Sequence, residues 1–339
     1  MPTHAASSWR AILFCSLNLL VASLSSDAVS QDALRGSEKS EPLEIKMGDG
    51  VVLITTHDEP FATYDFKHYA KPILYPLCGP GGIEVTRNYP MRSGVPGESS
   101  DHEHHKSVWF AHGNVNGLDF WSEKARIVSQ DIQLLDEQPN IWPGFVAKNS
   151  WLDGDKPILL EQASLRFADR GDVRFVDFEF LLTAQLDVRF GDTKEGTFAI
   201  RTHPNLQLTR EDASLPVGHA ENSAGQTDGN IWGQRAEWVS YFGQIDGVDM
   251  GIAIFDHPEN LRHPTTWHAR DYGLVAVNPF GLHDFLKQPA NSGDFDLPNG
   301  QQLRFRFRLA IYRGGFDREN IKNWYTEFCG KLAQSNNTH

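Results

Sequence analysis

Beyond residue 42, hydrophobic and polar residues alternate along much of the chain with a period close to two. Leu43–Met47 and Val51–Thr56 flank the tripeptide Gly-Asp-Gly, which is typical of a turn between antiparallel strands. Alternation is clearest in 176–182 and 303–309, and in the latter three arginines fall on one face, which predicts a half-solvated antiparallel sheet. The other predicted strands are 127–134, 158–167, 197–208, 238–242, 250–256 and Leu274–Asn278.

One segment has the periodicity of a helix. After Asp317, a suitable N-cap, apolar residues recur at spacings of three and four, which predicts a helix over 317–333. No long helices separate the predicted strands, so a parallel α/β sheet is disfavoured. The pattern favours an all-β fold: a large antiparallel two-sheet β-sandwich with one C-terminal helix, forming a single domain over 43–335.

The N-terminus has the features of an export signal. Arg10 precedes an apolar run over 11–24, and small or polar residues follow. We expect residues 1–28 to be a signal peptide and the mature protein to be periplasmic or extracellular. The polar stretch 29–42 predicts a disordered lead-in. The apolar run is shorter than the about 20 residues that span a bilayer, and no later run approaches that length, so we expect no membrane span.

Charge and cysteine content narrow the partners. A net charge of −13 argues against binding to a phosphate backbone, so we expect no nucleic-acid partner. Cys78 and Cys329 belong to the predicted mature chain, where they either pair or remain free thiols. The oligomeric state is not indicated by the sequence.

A histidine cluster between residues 101 and 123 is the strongest functional signal. His102 and His104 are two apart, so on a strand they would share a face, a pattern suited to proton transfer or metal binding. With His112 as a third ligand they would form a metal site, so a divalent metal is one alternative to chemistry that requires no cofactor. Asn114, in the adjoining turn, is a candidate ligand contact.

Three further polar, turn-rich segments carry candidate residues. Arg201 and His203 are two apart and would share a strand face suited to an oxygen-rich ligand. The segments 218–243 and 254–281 add charged and aromatic side chains. The candidate catalytic residues are His102, His104, His203, His268 and Asp271. The candidate substrate-binding residues are Arg201, Arg235, Glu237, Trp232, Trp267, Asn114 and Arg270.

Several long motifs resemble a known bacterial family. The runs YPLCGPGG, SSDHEHHKSVWFAHGNVNGLDFWSE and NSAGQTDGNIWGQRAEWVSYFG are similar to the PmoA family, a domain of unknown function often labelled methane oxygenase. The resemblance covers roughly 43–313 and implies a secreted bacterial domain from a carbohydrate-degrading organism. The methane monooxygenase subunit of that name crosses the membrane several times, so this sequence does not support the oxygenase label.

A second resemblance concerns the substrate. A loop histidine cluster followed by His-Pro-Asn-Leu at the end of a strand is similar to the galactose mutarotase-like superfamily. This resemblance implies a supersandwich fold that binds sugars with histidines and a carboxylate on its concave sheet. We therefore expect an exported carbohydrate-active enzyme that transfers protons to a small-molecule or oligosaccharide ligand. A metal-dependent hydrolase or oxygenase and a non-catalytic carbohydrate-binding domain remain the alternatives.

Overall fold

The computed structural model describes residues 41–335 except 137, 140, 211 and 213, with side chains as far as residue 330. The predicted signal peptide and nearly all of the predicted lead-in lie outside the described residues. The strands are β1 (Leu43–Met47), β2 (Val51–Thr56), β3 (Glu59–Asp65), β4 (Ile73–Leu77), β5 (Val108–His112), β6 (Arg126–Leu134), β7 (Gly144–Asp153), β8 (Lys156–Asp169), β9 (Val173–Ala184), β10 (Val188–Phe190), β11 (Gly196–Arg201), β12 (His219–Asn222), β13 (Trp238–Ile245), β14 (Val248–Asp256), β15 (Thr266–Ala269), β16 (Leu274–Asn278), β17 (Phe295–Leu297) and β18 (Gln302–Arg313). The helices are α1 (Leu282–Leu286) and α2 (Arg318–Ser335).

These strands form two large antiparallel sheets. The first sheet has eight strands in the order β1-β2-β3-β4-β5-β11-β16-β15, and the second has eight in the order β12-β13-β14-β18-β9-β8-β7-β6. β10 and β17 make a separate antiparallel pair. The prediction of an all-β, two-sheet antiparallel fold with a C-terminal helix is confirmed.

Aromatic side chains fill the space between the two sheets. Phe110 of β5 stacks on Phe180 of β9 with 4.0 Å between ring centroids, and Phe198 of β11 stacks on Phe307 of β18 at 4.6 Å. Burial of each such ring stabilises the fold by about 1.5–3 kcal/mol. Because successive residues of a strand point to opposite faces, the neighbours of Phe110 and Phe198 point away from this core. They form the outer face of the first sheet.

Helix α2 covers the outer face of the second sheet. Its Ile321 and Phe328 belong to a separate apolar cluster with Phe175 and Phe255 of that sheet. Asp317 caps the helix as predicted, because its Oδ1 accepts a hydrogen bond of 2.8 Å from the amide of Glu319. In the described part of the chain, no helix is long and apolar enough to cross a membrane.

The arginine face of β18 is less solvated than the sequence suggested. Arg304 is 47% exposed, but the side chain of Arg308 has no exposed area. Arg308 Nε donates to Asp177 Oδ1 at 2.5 Å, and its guanidinium packs against Phe328 of α2. The alternation shows which residues share a face but not that a helix returns to cover it.

Other differences concern strand ends and short strands. The predicted strand 197–208 ends at Arg201, because Pro204 begins a 3-10 turn at Pro204–Leu206. Strand β5 was not predicted because all five of its residues are buried, so its sequence does not alternate. The hydrophobic pattern also failed to predict the short helix α1 and the strands β3, β4, β7, β10, β12, β15 and β17. Cys78 and Cys329 are free thiols, so they do not form a disulfide.

Candidate functional site

A row of four residues crosses the outer face of the first sheet. Trp109 lies opposite Ala199, Ala199 opposite Ala276, and Ala276 opposite His268 in the antiparallel register. Residues directly opposite each other in such a ladder point to the same face. Ala199 and Ala276 are fully buried, and Trp109 and His268 are each 2% exposed, so neighbouring segments cover this row.

The histidine segment packs over one end of this row. The ring of His105 stacks on Trp109 with 5.3 Å between centroids. His102 stacks in turn on His105 at 4.7 Å and on Tyr272 at 5.2 Å. His104 meets His105 edge-on at 4.4 Å. The cluster is thus a set of packed aromatic rings in which His102 is the most exposed histidine, with 42% of its side chain accessible.

Two buried arginines hold the acid that precedes His102. Arg87 and Arg201, both without exposed side-chain area, donate to Asp101 Oδ1 at 2.5 and 2.9 Å. Burial alone would raise the pKa of Asp101, but Arg201, Ser99 and the other partners outweigh it and hold that pKa well below its usual value. The second oxygen, Oδ2, lies 2.6 Å from His102 Nδ1. Asp101 therefore orients the His102 ring and leaves its Nε2 available.

Two lysines share a second carboxylate nearby. Lys71 Nζ donates to Glu123 Oε1 at 2.7 Å, and Lys106 Nζ donates to Oε2 at 2.5 Å. Lys71 also donates to the carbonyl oxygen of His104 at 3.1 Å, which ties this pair to the histidine segment. Burial lowers the pKa of Lys71 to about 8, although Glu123 opposes the shift.

The inner histidines are neutral at physiological pH. Burial, reinforced by the charge of Lys71, lowers the pKa of His104 to about 4. Burial and the neighbouring cations lower the pKa of His105 further. Within the described residues, His105 Nε2 and Trp109 Nε1 are buried without a hydrogen-bond partner. The cluster therefore offers uncharged polar groups rather than additional cations.

The opposite end of the site contains His268 and a carboxyl group. His268 Nδ1 lies 3.0 Å from the carbonyl oxygen of Lys194, and burial lowers the pKa of His268 to about 3. Glu195 is half-buried and immediately precedes β11. Burial raises its pKa, although the charges of Lys194 and His102 oppose that shift. A carboxyl group of raised pKa thus lies within electrostatic reach of the exposed imidazole.

The structure brings five predicted residues to this region: His102, His104, Arg201, His268 and Arg270. The guanidinium of Arg270 lies over the ring of Tyr272, 5.3 Å from its centroid. His203 instead accepts a hydrogen bond of 3.1 Å from the amide of Asn205 and caps the turn at Pro204–Leu206. Asp271, predicted as a catalytic acid, is exposed and accepts a hydrogen bond of 3.1 Å from the amide of Tyr272.

The other predicted residues make the following contacts. Trp267 is on the core face of β15, since it lies opposite Val277, which lies opposite Phe198. Arg235 donates to the carbonyl oxygens of Arg262 and Pro264 and not to Glu237, which is two residues away. The remaining two residues, Trp232 and Asn114, contact the ring of Phe285 and the amide of Gly117 respectively.

The predicted metal triad is not assembled. His112 is two residues from Phe110 on β5 and so points to the core face, where its ring packs on Phe280 at 4.7 Å. Its Nε2 lies 2.8 Å from the carbonyl oxygen of Gly191. His102 and His104 belong to the segment on the opposite side of the sheet. Across the described ranges, no three His, Cys, Asp or Glu side chains form a group that could hold a metal ion.

Residues at the site that the sequence reasoning missed include Asp101, Arg87, Lys71, Lys106, Glu123 and Glu195. Asp101 had a local signal, because a carboxylate beside a histidine can orient it. Arg87, Lys71 and Glu195 had none, since each reaches the site only through the pairing of strands distant in sequence.

The site is therefore a polar and aromatic cluster on one sheet of an antiparallel sandwich. Residues 51–326 match a family of unknown function, DUF6807, and the chain belongs to that family. This family description gives no support to the PmoA name. No curated protein shows significant sequence similarity to the chain.

Similar folds occur among solved structures. The α-galactosidase from Lactobacillus brevis is 11% identical with a TM-score of 0.30, and the match covers 80% of this chain and 40% of that one. A galactose mutarotase-like protein from Clostridium acetobutylicum is 7% identical with a TM-score of 0.34, over 81% of this chain and 100% of that one. The chain thus spans about 40% of the length of the galactosidase. Scores this low carry no information about activity.

Proposed function

We propose that the chain is a carbohydrate-active enzyme, which binds a sugar on the outer face of the first sheet and transfers protons through His102 and Glu195. The contact of 2.6 Å between Asp101 and His102 carries this proposal. A carboxylate that fixes one ring nitrogen of a partly exposed histidine leaves the other nitrogen free to accept or donate a proton.

The second group of the proposed pair is Glu195. Because burial raises its pKa, this carboxyl group holds a proton more readily than an exposed glutamate does. One group can then remove a proton from a sugar hydroxyl while the other supplies one, so the total number of protons on the enzyme is unchanged. Beside the site, the half-buried ring of Tyr272 stacks on His102, whereas Trp109 is buried beneath His105.

Binding and turnover of sugars test the proposal. The purified chain is titrated with a panel containing D-galactose, D-glucose, L-fucose, D-xylose and their oligosaccharides, and each mixture is followed by proton NMR in deuterated water. We expect binding of at least one sugar and conversion that His102→Gln reduces by about 10²-fold or more. His219→Gln, an exposed histidine on β12 of the second sheet, is the matched control.

Each outcome of this experiment has a definite meaning. If the unaltered chain binds a sugar without converting it, the proposal of an enzyme is wrong and a non-catalytic binding domain is favoured. Equal conversion by the His102→Gln variant would remove His102 from the mechanism. We also propose that the protein acts after export, which the apolar run at 11–24 supports.

A further inference from the structure

The buried cations beneath the histidine cluster outnumber the carboxylates that pair with them. Arg87 and Arg201 share Asp101, and Lys71 and Lys106 share Glu123. The four cationic side chains are at most 8% exposed. Buried charges are screened weakly by salt and water. The two ion-pair groups by themselves contain two more cations than carboxylates.

Two other carboxylates face this layer, and each accepts hydrogen bonds from backbone amides. Glu98 faces Arg87 and accepts hydrogen bonds from the amides of Asn88 and Tyr89, at 2.9 Å each. Asp119 faces Lys71 and accepts a hydrogen bond of 2.8 Å from the amide of Ser122. In the described part of the chain, neither carboxylate forms an ion pair with an arginine or lysine of the layer. Hydrogen bonds from amides leave a carboxylate charged, so four carboxylates in all face the four cations of this layer.

A partly exposed arginine, Arg270, lies at the edge of this layer. Arg270 is half-buried, and its guanidinium lies over the Tyr272 ring, which stacks on His102. No ion pair of the described residues involves Arg270, although its neighbour Asp271 is an acid. A planar guanidinium matches a carboxylate through two parallel hydrogen bonds.

We propose that the site selects sugars that bear an oxyanion, such as a uronic acid, and that Arg270 binds the oxyanion. This inference rests on the proposed function and names the class of substrate. The hydroxyl groups of the same sugar then face His102 and Glu195, and the charge of Arg270 attracts the oxyanion.

Calorimetric titration of the purified chain compares matched sugars. D-Galacturonate is set against D-galactose, and D-glucuronate against D-glucose, with glucose 6-phosphate and galactose 6-sulfate identifying which oxyanion is preferred. We expect the charged sugar of each pair to bind at least about tenfold more tightly, with a difference that shrinks as salt rises from about 0.05 to about 0.5 M. Arg270→Gln should remove most of that preference. Arg304→Gln, which deletes one charge from the outer face of the second sheet, should leave it unchanged.

The outcomes separate this inference from the proposed function. If neutral sugars bind as tightly as the charged ones, or if the two arginine variants behave alike, the oxyanion proposal is wrong and the sugar site remains. If no sugar of either kind binds, both proposals are wrong. A preference for the phosphate or sulfate over the carboxylate supports the class and assigns the oxyanion.

Discussion

Trp109 and His268 lie far apart in the chain yet stand in one register row of the first sheet, separated only by Ala199 and Ala276. Strands β5 and β15 reach this arrangement because β11 and β16 lie between them. The row brings a residue of the histidine segment 101–123 and one of the segment 254–281 onto one face. All four side chains are at most 2% exposed, so the row lies beneath the segments that carry the exposed groups.

Asp101→Asn should destabilise the fold as well as disturb His102. The amide cannot balance the charge of two buried guanidinium groups, and loss of one partner of a buried ion pair typically costs about 3–5 kcal/mol. Because 37% of the Asp101 side chain is exposed, we expect a smaller loss of about 2–3 kcal/mol in the free energy of unfolding. Urea denaturation measures it, and Glu103→Gln is the control, since Glu103 is exposed and accepts from the Tyr89 hydroxyl. Equal stability of the two variants would show that the ion pairs of Asp101 with Arg87 and Arg201 do not stabilise the fold.

Glu161 should make stability depend on pH. Burial raises its pKa from 4.5 to about 7, although Asn149 and Trp151 donate hydrogen bonds to it. A pKa that is higher in the folded state means that folding takes up a proton. The resulting stability, about 3 kcal/mol, is present in full below pH 4.5 and is lost as pH rises towards 7.

Glu161→Gln should remove this dependence. Asn149 Oδ1 is buried without a partner within the described residues, so a flip of that amide would accept a hydrogen bond from the new glutamine. Unfolding by urea at a series of pH values compares the variant with the unaltered chain. Parallel pH profiles for the two proteins would show that Glu161 ionises normally.

Removal of metal should have no effect. His112 is on the core face, and its Nε2 lies within hydrogen-bonding distance of the carbonyl oxygen of Gly191. It therefore cannot complete a metal site with His102 and His104. We expect the melting temperature to stay within about one degree after dialysis against EDTA and after addition of Zn²⁺ or Mn²⁺. A rise of several degrees with one metal, abolished by His102→Gln, would restore the metal-dependent alternative.

Export should leave a shortened N-terminus. The apolar run at 11–24 and the small residues that follow it predict cleavage near residue 28. N-terminal sequencing of protein recovered from the native host measures the cleavage site. Intact Met1 in the cytosolic fraction would contradict export.

The sequence predicted the class of fold because strand alternation is a local property. Strands such as β16 were located at their true ends, whereas β5, which is buried throughout, gave no alternating signal. The site was only partly predictable. His102, His104 and Arg201 were identified from spacing, but Arg87 and Glu195 reach the site through pairing between distant strands. The prediction of His112 as a metal ligand was wrong because the face on which it lies depends on the register of β5, which the sequence does not reveal.

The most direct test of a sugar site at His102 is a crystal structure of the chain with the sugar that binds most tightly in the NMR titration. We predict the sugar ring on the outer face of the first sheet, with a hydroxyl group within hydrogen-bonding distance of His102 Nε2 and another near Glu195. The affinity of that sugar in solution should fall when His102 is replaced by glutamine. A sugar bound elsewhere, for example beside Arg304 on the second sheet, with unchanged affinity in the His102→Gln variant, would contradict the account.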